Sequence, residues 1–134
     1  MNVSKMSDLE RLIYAEAIFE SVPEELVNLN TYGEKKNGSL AWRSTPLCGT
    51  FACVAGWIPR HPDMIEAGLK IDDYGIPSYQ GFSAFDALLV FFGISEHDAI
   101  FLFGARRTNL PQKAEGLARF RRVISEMQAR KVKI

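Results

Sequence analysis

Apolar positions recur at helical spacing in several stretches of this chain. Leu9, Leu12, Ile13, Ile18, Phe19 and Val22 keep a rhythm of three and four, with Glu10, Glu16 and Glu20 largely on the other side. Ser7-Asp8-Leu9-Glu10 ahead of them is a capping-box pattern: the serine hydroxyl takes the amide three residues on, and Glu10 reaches back. Pro23 disfavours helix at Val22. The pattern therefore predicts a helix from about Asp8 to Ser21. A second capping pattern, Ser83-Ala84-Phe85-Asp86, leads into the apolar run 87–92 and stops at Gly93. Ser95-Glu96-His97-Asp98 starts a further helix carrying Ile100, Phe101, Leu102 and Phe103, which stops at Gly104. Both are too apolar to be peripheral. Pro111 opens a last helix, 111–131, with Ala114, Leu117, Phe120, Ile124 and Met127 as its narrow core stripe and basic residues on its other faces.

Between these elements the pattern changes. Residues 23–47 hold Asn28, Asn30, Gly33, Asn37, Gly38 and Pro46 with little periodicity. They predict a long irregular segment with one helical turn at Glu24–Leu29, pinned to the body by Trp42. The stretch Thr50–Trp57 is apolar all round, as expected of a short helix enclosed by others. Pro59, His61 and Pro62 end it, and Asp63–Gly68 predicts one more helical turn. Residues 69–79 suggest a small hairpin, which Pro77 restricts to an edge or to non-strand structure. The expected architecture is a mainly α single domain over 1–134, a bundle of four to six helices around a short buried central helix with at most a small β-hairpin.

Composition narrows the classes. A chain of 134 residues with 47% hydrophobic and 24% charged residues is an ordinary globular domain. No apolar run reaches the roughly 18–20 residues of a membrane span, and the N-terminus lacks a signal-peptide apolar region. A cytoplasmic location with no membrane partner is the expectation, and there the two cysteines are read as free thiols. Net charge is zero, yet residues 1–100 carry seven Lys/Arg against fourteen Asp/Glu, and residues 101–134 carry nine against two. That asymmetry suggests an interaction surface at the C-terminus.

The run Cys48-Gly49-Thr50-Phe51-Ala52-Cys53-Val54-Ala55-Gly56-Trp57 is the chain's most distinctive segment. It resembles a pattern in small uncharacterised proteins of bacteriophages and bacteria: Cys-Gly-Thr, two variable residues, Cys, two small or apolar residues, then Gly-Trp or Gly-His. The later run Ile94–Phe103 is similar to a Leu-Phe element of the same proteins, so the resemblance covers roughly residues 40–104. It implies a phage or mobile-element origin and carries no assigned activity.

Three readings of the cysteine segment compete. Cys48 just before a helix would have its thiolate stabilised by the helix terminus and could act as a nucleophile with His61 as base. The flanking residues match no cysteine-protease signature, and His97 between Glu96 and Asp98 favours imidazolium over a neutral base. Cys48, Cys53, His61 and His97 form a set zinc accepts. On one helix, however, the two thiols would point about 140° apart with Cα atoms about 8.5 Å apart, which defeats a shared ion or a disulfide. In the third reading Gly49, Thr50, Cys53, Gly56 and Trp57 are packing residues, with Thr50 capping the helix and Trp57 closing it. The third reading is adopted here: no catalytic residue, no metal, no cofactor.

The basic C-terminal region supplies the candidate binding residues: Arg106, Arg107, Lys113, Arg119, Arg121, Arg122, Arg130 and Lys131. Such a surface could track phosphates, dock an acidic protein, or lie against the chain's own acidic first helix. Aromatic interleaving is limited to Phe120, which disfavours a single-strand stacking platform. Tyr74 and Tyr79 mark a second candidate, an aromatic recognition loop, against the plainer alternative that they cover the core. The sequence thus points to a small phage-like accessory protein that binds a host or phage protein, in the manner of a host-takeover or anti-defence factor. Nucleic acid is the second candidate partner and another copy of the chain a further one, while a Cys48-dependent hydrolase is the alternative activity.

Overall fold

The computed structural model describes residues 2–27, 29, 34–35, 50–51, 54–73, 75–104 and 108–132. Among them, helix α1 (Asp8–Glu20) begins with the complete capping box: Ser7 Oγ accepts the Glu10 amide at 3.2 Å and Glu10 Oε1 accepts the Ser7 amide at 3.0 Å. Strands β1 (Glu34–Lys35) and β2 (Thr50–Phe51) form an antiparallel pair. Helix α2 (Val54–Trp57) runs into a 3-10 turn at Ile58–Arg60, and α3 (Pro62–Glu66) follows. Strands β3 (Lys70–Ile71), β4 (Pro77–Tyr79) and β5 (Phe82–Ser83) make a small antiparallel sheet in the order β3-β4-β5. Helices α4 (Ala84–Phe92), α5 (Glu96–Phe103) and α6 (Gln112–Val132) complete the chain.

The fold is mainly α, as expected. Helix α1 packs on α6 and α4, α4 packs on α5, and α5 packs on α6, which closes a four-membered arrangement. Every residue of the four-residue α2 is buried, and α2 touches α5 from inside. Phe19 and Phe120 meet across α1 and α6 with ring centroids 6.2 Å apart. Phe91, Phe92 and Phe103 continue the aromatic core through α4 and α5. The sheet covers the outer side of α4, where Tyr79 sets its ring edge-on to Phe91 at 5.0 Å. Between Ser95 and α5 the expected cap is present, Ser95 Oγ accepting the Asp98 amide at 3.1 Å.

Four expectations need correction. The central helix starts at Val54, not Thr50, because Thr50–Phe51 is extended and paired with Glu34–Lys35. Thr50 is therefore not at the helix's N-cap position, and residues 23–47 are not wholly irregular. A helix running from Cys48 through Cys53 is excluded by the same extended pair, so the argument that set the two thiols on opposite helix faces loses its premise. Pro77 lies in the central strand of the sheet. It is tolerated there as the strand's first residue, where a missing N–H interrupts the ladder least. Ser83 makes no side-chain cap, since it pairs with Ser78 in β5, and α4 instead starts at a left-handed Ala84, φ +55°. Lastly, Ala114 is exposed; Phe120 and Ile124 are buried and Leu117 and Met127 pack on the core as expected, but the buried face of α6 also takes in Glu115, Gly116 and Arg119.

Candidate partner-binding seam

Helix α6 carries its basic residues in two very different settings. Arg119 is only 4% exposed and Glu115 3%. Their side chains are ion-paired one helical turn apart, and Arg119 Nη1 also donates to the Gly104 carbonyl at 2.7 Å. On its other oxygen Glu115 accepts the Thr108 amide at 3.1 Å and the Thr108 hydroxyl at 2.7 Å. Thr108 Oγ1 in turn accepts the Leu110 amide at 3.2 Å. This network, buried at its Glu115–Arg119 end, fastens Gly104, Thr108 and Leu110 to α6. Arg119 therefore does not belong to the exposed basic surface expected of it: burial and a full set of strong acceptors give it a structural task.

The exposed cations do not form one stripe either. Arg121, 69% exposed, lies on the α1 side of the helix with Nε 4.0 Å from Glu16 Oε2. Arg122, 66% exposed, lies on the α5 side: its Nε donates to Glu126 Oε1 at 3.3 Å, and its guanidinium sits 4.9 Å from the centroid of Phe101. Arg130, 62% exposed, faces the buried Asp98 of α5 at 4.0 Å. Each of these three has a carboxylate within reach, so part of the charge asymmetry is answered within the fold. Such exposed pairs are worth about 0–1 kcal/mol each and exchange readily. Lys113 is half-buried, Lys131 lies in the last turn of α6, and Arg106 and Arg107 fall outside the described residues.

Between α5 and α6 the network leaves a cleft of about 300 Å³. Phe101, Leu110 and Ala118 wall it, Arg122 edges it, and Glu115 with Arg119 lies at its base. Its lining is almost wholly apolar. A larger hollow of about 460 Å³ lies beside the C-terminal half of α6, between Ser7, Asp8, Gly93, Ser95, Met127 and Arg130.

The other sequence-predicted sites fare as follows. Tyr79 is half-buried against Phe91, which answers to the core-covering alternative, and Tyr74 lies outside the described residues. Gly56 and Trp57 are buried, and Trp57 Nε1 donates to the Leu26 carbonyl at 3.0 Å, closing the segment against the body. Gly49, Cys48, Cys53, Trp42 and most of the segment 28–46 lie outside the described residues. His61 Nδ1 accepts the Asp63 amide at 3.1 Å and so caps α3, which assigns the neutral ring's proton to Nε2. Tyr14 of α1 donates its hydroxyl to Asp63 Oδ2. That bond holds the Asp63 carboxyl below its ordinary value. It also raises the Tyr14 phenol above its own, with burial and the Asp63 charge adding to the rise. Among the described residues no three His, Asp or Glu converge as metal ligands, and no helix is long and apolar enough to cross a membrane.

Two working residues escaped the sequence reading. Arg11 donates to the carbonyls of Val3, Ser4 and Phe91 and stacks 4.6 Å from the Phe91 centroid, tying the N-terminal turn to the end of α4. In the sequence Glu115 is one of two acids in a basic region. Its i,i+4 spacing to Arg119 was the available signal. No family model, curated protein or solved structure matches the chain.

Proposed function

We propose that this protein acts by binding a protein partner along the α5–α6 seam, without catalysis of its own. The observation that carries the reading is the apolar-walled cleft between Phe101, Leu110 and Ala118, edged by the exposed Arg122. An interface core needs apolar surface with an anchoring arginine, and this seam offers both. The phage-like signature at Cys48–Trp57 suggests the setting, an accessory factor acting on a host or phage protein. Nucleic acid is the less favoured reading, because the exposed arginines occupy two sides of α6 and each already lies near a carboxylate. A phosphate-tracking surface gains from a contiguous run of cations free to displace counterions.

Immobilised wild type, Arg122→Glu and Arg121→Glu proteins exposed to bacterial lysate test the proposal by quantitative mass spectrometry. At least one protein should be retained by wild type and by Arg121→Glu and depleted at least tenfold on Arg122→Glu. Equal behaviour of the two reversals, or no retention above blank matrix, would overturn it. Micromolar binding to a labelled 30-mer duplex that weakens steeply with salt would move the assignment to nucleic acid.

A further inference from the structure

We infer that the α5–α6 cleft is a socket for one bulky apolar side chain of a partner segment, leucine, methionine or phenylalanine in class, with a carboxylate beside it for Arg122. This deepens the protein-binding reading and rests on it. The volume of about 300 Å³ has room for a large side chain and sits at the bottom of the range for small-molecule sites. The charges at the base are committed: Glu115 takes Arg119 and both Thr108 donors, and Arg119 also holds Gly104. A polar occupant would lose water there and meet groups already bonded. An apolar one is rewarded by Phe101, Leu110 and Ala118.

The rim has its own logic. Leu110 is 49% exposed, which alone would mean little. Here its amide is held by Thr108, and Thr108 by the buried Glu115, so the wall stands in place before any partner arrives. A preformed wall lowers the ordering cost of association. Ala118, one turn before Arg122, contributes the space. Arg122 lies against the Phe101 face with Glu126 3.3 Å away on one exposed edge. An incoming carboxylate can take that guanidinium from Glu126 with little reorganisation, and this charge complementarity fixes the occupant's second feature.

Panning a random 12-residue peptide library against the immobilised full chain tests the socket. Enriched peptides should share a Leu, Met or Phe within two positions of an Asp or Glu. Their affinity should fall at least tenfold on Ala118→Trp, which fills the space from an exposed position, and on Leu110→Ser, which removes a wall. Arg121→Glu, on the α1 side of the helix and outside the cleft, should leave it within twofold. Peptides that bind Ala118→Trp as well as wild type, enriched sequences dominated by Lys and Arg, or no enrichment would each overturn the inference. A lysate protein lost on Arg122→Glu but retained on Ala118→Trp would sink the socket while leaving the seam reading intact. Retention of no protein at all would sink both.

Discussion

A Cβ added to Gly116 would lie 2.6 Å from Cε2 and 2.9 Å from Cζ of Phe19, and 3.3 Å from Cγ2 of Val54. Phe19 is fully buried and in ring contact with Phe120, so it has no open space to retreat into. Gly116→Ala gains roughly 1 kcal/mol of helix propensity but incurs an overpacking cost of roughly 1–3 kcal/mol. The second effect wins, and thermal unfolding of Gly116→Ala should show a lower Tm than wild type; a higher Tm would mean that α1 and α6 are not in contact at this point. Tyr14 and Asp63 give a residue-scale prediction with a pH sign. Asp63 has a depressed pKa because it accepts the Tyr14 hydroxyl, so its contribution is present above the ordinary aspartate value and is lost as pH falls through the lowered one. Tyr14 has a raised pKa, so its contribution is present below pH 10 and lost as pH climbs through the raised value. In Tyr14→Phe the Asp63 carboxyl should titrate at higher pH than in wild type, as followed by the carboxyl carbon resonance. An unchanged titration would show that the bond does not form in solution. Neither interaction is legible in sequence: Gly116 is a neutral letter in a helical pattern, and Tyr14 meets Asp63 across 49 residues.

At the scale of elements, legibility followed the range of the forces involved. The starts of α1 and α5 were readable because Ser7 and Ser95 act on amides three residues away. The end of α4 was readable because Gly93 adopts φ +63°, a conformation that favours glycine. Thr50–Phe51 was misread because its apolar letters fit a buried helix, while its strand partner, Glu34–Lys35, lies in a segment without periodicity. The candidate seam was half legible. The basic helix is legible, but its division into a buried and two exposed sets depends on Gly104, Thr108 and Leu110 being held over Glu115 and Arg119. That division predicts a sharp contrast within one helix. Arg119→Ala leaves Glu115 buried without its cation and should cost about 3–5 kcal/mol, whereas Arg121→Ala should cost no more than about 1 kcal/mol. A Glu115→Leu/Arg119→Met double variant removes both charges together and should be less damaged than the sum of its single changes, since neither ion is left stranded. Urea denaturation of wild type, Glu115→Leu, Arg119→Met and the double variant gives the cycle, and strict additivity would contradict the paired burial.

For the whole molecule, the seven-against-fourteen and nine-against-two division of charge along the chain is partly folded back on itself. Arg121 meets Glu16 of α1, Arg130 meets Asp98 of α5, and Arg122 meets Glu126 of its own helix. Reversing all three to Glu takes the formal net charge from zero to −6, yet every altered side chain is more than half exposed. The cost should be the sum of weak terms, lost attractions and new repulsions of a few tenths of a kcal/mol to about 1 kcal/mol each. The variant should therefore fold with the helical circular dichroism of wild type and a Tm lower by about 10 °C or less. Because the Debye length shrinks from about 30 Å at 0.01 M to about 3 Å at 1 M ionic strength, the gap in Tm between the two proteins should narrow at high salt. A gap that persists in 1 M salt would locate the loss in packing, above all the contact of Arg122 with Phe101, rather than in charge. That outcome would also alter what Arg122→Glu reports in a binding assay, since the rim of the cleft would then have changed shape together with its sign.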